Sequence, residues 1–170
     1  MAEVRQILLP SFLYYHFNGR TLPVYIDRHG VVMHIGAPSA ADGAAGALQS
    51  LPVVSGHLSG SQQPWLGMRV SASIMPLFSR IGAIGDDDPH IWQAISEIGI
   101  AWKSNDLYDL ILYPVNNTIK LKMGSDITKE NIYYALLMSD ASRRLGNRPA
   151  EIDVRSGIGV FKTQEARFGE

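Results

Sequence analysis

The chain has 170 residues, 46% apolar and 18% charged, with a formal net charge of −1 and no cysteine. This is globular composition, long enough to bury a core. It argues against disorder, against disulfide or thiolate chemistry, and against nucleic-acid binding driven by phosphate neutralisation.

No run of about 18 apolar residues occurs, so no segment reads as a membrane span. The start, Met1-Ala2-Glu3-Val4-Arg5, lacks the basic-plus-apolar pattern of a signal peptide and enters an apolar strand almost at once. Val4 to Phe17 is rich in Ile, Leu, Tyr and Phe and reads as one or two extended segments, with Pro10 at an edge or bend. Asn18-Gly19-Arg20 is a turn, and Leu22 to Asp27 a short strand. Arg28-His29-Gly30 turns the chain again, with Gly30 at the left-handed position, and Val31 to Ile35 runs back as a hairpin. Gly36 to Ser50 is dominated by Ala, Gly, Ser and Pro, and reads either as a mobile loop or as a short helix from Asp42 to Gln49. Leu51 to Gly56 is a short extended segment, and Leu58 to Pro64 a Ser/Gly/Gln-rich loop.

Between Trp65 and Ile81, the residues Leu66, Val70, Ile74, Leu77, Phe78 and Ile81 fall on one face of a helix. Pro76 inside it should kink or end it. Gly82 to Asp87 reads as loop, and Asp88-Pro89 as an N-cap and first residue of a short helical turn. Ser96 to Trp102 is a strand, and Lys103 to Asp106 a turn. Leu107 to Tyr113 is apolar and aromatic, as a half-buried strand should be, and Pro114-Val115-Asn116-Asn117 is turn chemistry. Thr118 to Met123 alternates with period two, which puts Ile119, Leu121 and Met123 on one face and Lys120 and Lys122 on the other. Gly124-Ser125-Asp126 offers an N-cap for a helix over Ile127 to Leu145, which carries Ile127, Tyr134, Leu137, Met138, Ala141 and Leu145 along one stripe. Arg143 and Arg144 in its last turn suit the helix dipole. Gly146-Asn147-Arg148-Pro149 stops the helix, and Glu151 to Lys162 returns as a last strand, with Ser156-Gly157 permitting a bulge. Strands joined mainly by tight turns predict an α+β fold: a mostly antiparallel sheet with helices packed on one face.

No catalytic constellation emerges. His16, His29, His34, His57 and His90 stand in no HxxxH or HExxH spacing. The Asp86-Asp87-Asp88 run is accounted for by an exposed loop ending in a helix cap, while a metal-assisted hydrolytic site over Asp86 to His90 is the enzymatic alternative. Gly157 to Thr163 lacks the spacing and following helix of a phosphate loop, and Ser55-Gly56-His57-Leu58-Ser59-Gly60 is not a nucleophile elbow. Asn116-Asn117-Thr118 matches a glycosylation sequon, but a hairpin turn explains it better. Trp65, Trp92, Trp102, Tyr108 and Tyr113 are candidates to line a small-molecule or peptidoglycan groove, and core packing explains them at least as well. The terminal strand is the remaining feature, because an edge strand is either protected or used.

In order along the chain, five pieces resemble the FtsQ/DivIB family of bacterial cell-division proteins: Tyr25-Ile26-Asp27-Arg28-His29-Gly30-Val31-Val32; Leu51-Pro52-Val53-Val54-Ser55-Gly56; Ile95-Ser96-Glu97-Ile98; Leu110-Ile111-Leu112 followed by Ile119 to Gly124; and Glu151-Ile152-Asp153-Val154-Arg155 ending in Val160. The resemblance covers roughly residues 4–162, with a flexible insert at about 36–64 and a polar tail at 163–170. It implies the family's β-domain, held on the periplasmic face of the cytoplasmic membrane by an upstream transmembrane helix, with the family's transmembrane helix and POTRA domain expected outside these residues. It implies no catalysis, no cofactor and no metal. It implies a divisome scaffold that binds the FtsB/FtsL pair by strand addition to its terminal strand, with contacts from the preceding helix. By matching position, the partner-binding residues are Ile152, Asp153, Val154, Arg155, Gly157, Val160 and Phe161.

Overall fold

The computed structural model describes residues 11–17, 20–36, 52–56, 63–104, 106–147 and 149–162. The chain is α+β and divides into two compact units, Met1–Gln93 and Ala94–Glu170. The segment 37–51, with its candidate helix, lies outside the described residues, as do the first ten residues and the tail.

The first unit holds β1 (Ser11–Phe17), β2 (Arg20–Ile26), β3 (Val32–Ile35) and β4 (Val53–Ser55) in the order β3-β2-β1-β4. The pairs are antiparallel except β1 with β4, which is parallel. The β2–β3 turn forms as its sequence dictates. The Asp27 carboxylate accepts from the backbone N–H of His29 at 2.9 Å and of Val31 at 2.8 Å. Gly30 sits at φ +73°, and a Cβ there would meet the Val70 side chain at 2.8 Å.

Helix α1 covers Met75–Asp87, starting later and ending later than the apolar stripe predicts. Pro76 falls in its first turn, where the missing N–H leaves no intrahelical bond unmade, so it opens the helix rather than kinking it. The stripe itself is buried from Val70 to Ile81, but Leu66 is exposed in a turn that precedes the helix. Gly82 to Asp87, read from sequence as loop, continues the helix because its glycines admit close packing. Gly85 has the Trp92 ring 3.0 Å from where a Cβ would stand, and the Trp92 indole N–H reaches the Ile81 carbonyl at 3.2 Å. Asp88 then stops α1 and caps the following turn: its own N–H donates to Ile84 and its carboxylate accepts from the N–H of His90.

The second unit carries β5 (Ile95–Trp102), β6 (Tyr108–Pro114), β7 (Lys120–Met123), β8 (Glu151–Asp153) and β9 (Val160–Lys162), in that order across the sheet. β5, β6 and β7 form an antiparallel meander, and Asn116 takes φ +58° in the β6–β7 turn, as its sequence predicts. Helix α2 (Lys129–Arg144) then returns the chain so that β8 lies parallel to β7, and β8 pairs antiparallel with β9. Thr128, two residues past the expected Asp126, is the N-cap, its hydroxyl accepting from the N–H of Asn131 at 3.2 Å.

Alternation splits this sheet cleanly. Leu110, Leu112, Leu121 and Ile152 are fully buried on the face that receives α2. Asp109, Lys122, Glu151 and Asp153 point the other way. Of the expected stripe, Ile127 is buried just ahead of the helix, but the helix itself does not bury the rest. It turns Ile132, Ala135, Ser139 and Ser142 inward and leaves Tyr134, Leu137 and Leu145 exposed. Small side chains let the helix lie close on the strands. The serines can be buried because each hydroxyl has a partner: Ser139 accepts from the Asn117 amide at 2.7 Å, and Ser142 donates to the Asn147 carbonyl at 3.4 Å.

A candidate docking edge

The terminal strand is a hairpin rather than one long edge strand. Glu151, Ile152 and Asp153 pair with Lys162, Phe161 and Val160. The chain reverses through Val154–Gly159, with Gly157 at φ +77° donating its N–H to the Val154 carbonyl at 3.1 Å. Ser156-Gly157 therefore makes a turn, where the sequence suggested a bulge, because a left-handed glycine redirects the chain fully.

This moves the edge. Ile152 is fully buried, and Val154 is buried with its N–H bonded to the Lys122 carbonyl on β7 at 2.9 Å. The backbone of Ile152, Asp153 and Val154 is thus interior to the sheet, where the sequence reading placed it at the edge. Among the described residues, β9 pairs with β8 and with no other strand, so its far side carries the unpaired groups of an edge. Successive residues of a strand direct their N–H and C=O to alternate sides. The Val154–Lys122 bond sends the even positions of β8 toward β7, so Glu151 and Asp153 face β9, and their partners Lys162 and Val160 face back. Phe161, between them, directs its own N–H and C=O outward.

Side chains continue the surface. Phe161 shares the face of Ile152, beside α2, yet is 48% exposed, and Leu137 on the helix is 66% exposed. Ile158 in the hairpin turn and Tyr134 on α2 are exposed too. Tyr134 and Met138 reach across to Gly159: the Gly159 N–H donates to the Tyr134 hydroxyl at 3.3 Å, and a Cβ on Gly159 would meet the Met138 methyl at 3.1 Å. A strand with one open edge and an unburied helix stripe therefore lie side by side. That arrangement can accept an extended segment along β9 and apolar side chains against α2.

The opposite face is ionic. Arg155 wraps Asp153 with its Nε at 2.9 Å and one terminal nitrogen at 2.6 Å, which holds the Asp153 carboxyl down at about 2 and raises the guanidinium. Lys162 pairs with Glu151 at 3.0 Å and is raised by that hydrogen bond. These contacts tie β9 to β8.

Of the sequence-predicted residues, Val160 and Phe161 stand at the edge, Gly157 makes the turn, Arg155 and Asp153 brace it, and Ile152 and Val154 lie beneath. On the helix, where sequence reasoning placed no residue, Tyr134 and Leu137 are the exposed apolar side chains. The enzymatic alternative finds its residues otherwise engaged: Asp86 pairs with Arg28 at 3.0 Å, and Asp88 serves as a cap. Among the described residues no group of three or more His, Asp and Glu is arranged to hold a metal. Four of the aromatic candidates have partners: Trp92 on α1, Trp102 edge-on to Tyr108 at 5.4 Å, and Tyr113 under the Lys120 ammonium at 5.9 Å, while Trp65 is exposed. Among the described residues no helix is long and apolar enough to cross a membrane. No family model, curated protein or solved structure matches the chain.

Proposed function

We propose that this chain is a FtsQ/DivIB-like β-domain: a non-catalytic scaffold of the bacterial divisome, acting on the periplasmic side of the cytoplasmic membrane and binding an FtsB/FtsL-like pair. The ordered sequence motifs suggest the family. The observation that carries the docking role is the pairing of an open β9 edge with an exposed apolar stripe on α2. Backbone hydrogen bonds to Phe161 supply affinity, while Leu137, Tyr134 and the Phe161 ring supply register and selectivity.

The test compares Phe161→Pro with Phe161→Ala in binding an FtsB/FtsL-like heterodimer. Proline at an outward-facing edge position leaves the fold intact but removes the donor a partner strand needs. The proposal expects Ala to weaken binding and Pro to abolish it, with both variants melting near wild type. Equal binding by Pro and Ala would remove strand addition as the mode.

A further inference from the structure

Asp109 is the buried charge that the docking surface does not use directly. Its side chain is 5% exposed on β6, in a strand otherwise apolar and aromatic. Three cations converge on it. Lys103, from the β5–β6 turn, lies at 2.6 Å from one carboxylate oxygen. Arg155, from the β8–β9 turn, lies at 2.8 Å from the other, with Lys122 of β7 at 3.8 Å. Arg155 in turn commits its remaining two guanidinium nitrogens to Asp153. Lys162 of β9 stands 3.7 Å from Asp153 and 3.0 Å from Glu151. A continuous ionic chain thus runs from the β5–β6 turn to the last strand, over the sheet face opposite α2.

The order of contacts assigns a direction to this chain. The Arg155–Asp153 pair spans two residues of one strand end and cannot by itself locate the hairpin relative to the rest of the sheet. The Asp109–Arg155 bond spans 46 positions and anchors the start of the turn to β6, two strands away. A buried carboxylate that has lost solvent holds its cations more firmly than an exposed one does. The β9 pairing is short and its side chains are exposed, and on that face its other tie is Lys162 to Glu151 and Asp153, which joins β9 to β8 but not to β6.

We propose that Asp109 is a positioning residue for the docking edge: through Arg155 it fixes the β8–β9 hairpin in the conformation that presents β9. The docking consequence rests on the reading of β9 as a partner edge; the positioning itself does not.

The test is amide hydrogen exchange on the full chain in wild type, Asp109→Asn, Arg155→Gln and the double variant. Either single change should speed exchange of the bonded hairpin amides, those of Gly157, Gly159, Val160 and Lys162, by about tenfold or more, the scale of a lost charge-assisted hydrogen bond. The Leu110, Leu112 and Leu121 amides should stay within about twofold of wild type. The double variant should be no faster than Arg155→Gln alone, because Asp109 reaches the hairpin through Arg155, which also bonds Asp153. Uniform acceleration across the sheet, no acceleration, or additive effects would each overturn the proposal. Should Asp109→Asn fail to fold, Arg155→Gln removes a half-exposed group and carries the same local expectation. Binding of the FtsB/FtsL-like pair is measured on the same variants. Faster hairpin exchange with unchanged binding would leave Asp109 as a positioning residue and reject the docking reading instead.

Discussion

The backbone N–H of Gly159 donates to the hydroxyl of Tyr134 at 3.3 Å, joining the turn before the last strand to the exposed side of helix α2. Tyr134→Phe deletes this bond and little else. An exposed neutral hydrogen bond contributes about 0.5 kcal/mol, so global melting should barely move. The Gly159 and Val160 amides should exchange faster, which nuclear magnetic resonance on the free protein would read.

Asp153 gives the hairpin a pH dependence. Its carboxyl, ordinarily near 3.8, is held at about 2, chiefly by the Arg155 hydrogen bonds. A carboxylate depressed in the folded state stabilises fully above its unfolded value and loses that stabilisation as pH falls toward its folded value. The contribution, on the order of 1–2 kcal/mol after allowing for screening around the partly exposed Arg155, should therefore disappear between about pH 4 and pH 2. Denaturant midpoints measured across that range should fall more steeply for wild type than for Asp153→Asn.

Gly30→Ala should destabilise the first unit by about 2–3 kcal/mol, combining a left-handed φ with overpacking against Val70. A lowered melting temperature, with partner binding kept below it, is the expected outcome.

Val154→Pro separates interior from edge. Its N–H belongs to the β7–β8 ladder, so proline should cost about 3 kcal/mol or more and loosen the whole β7–β8 pairing. Circular dichroism melting of this variant beside Phe161→Pro would show a large loss in the first and a small one in the second.

These contrasts show where the sequence spoke plainly. Period-two alternation placed Leu121 and Lys122 on opposite faces, and the structure agrees, because alternation follows directly from strand geometry. Asp27 and Gly30 announced their hairpin because that turn is satisfied by their own atoms. The helix faces were harder. Ser139 and Ser142 look polar to any hydrophobic count, yet they are buried, since the Asn117 amide and the Asn147 carbonyl satisfy them from elsewhere in the chain. Tyr134 and Leu137 look like core and are exposed for the same reason: the helix had already spent its inner face on small residues. The Glu151 to Lys162 segment kept its extended pattern, but whether it runs straight or folds back turns on Gly157, whose left-handed backbone no pattern count records. Asp109 in an apolar strand was the missed signal for the ionic chain, since its partners come from three separate elements.

Hydrogen exchange of the chain with and without an FtsB/FtsL-like partner tests the account most directly. Strand addition predicts new protection at the outward Phe161 amide, together with slowed exchange around Tyr134 and Leu137 on α2. A partner that binds while leaving the Phe161 amide unprotected would contradict it.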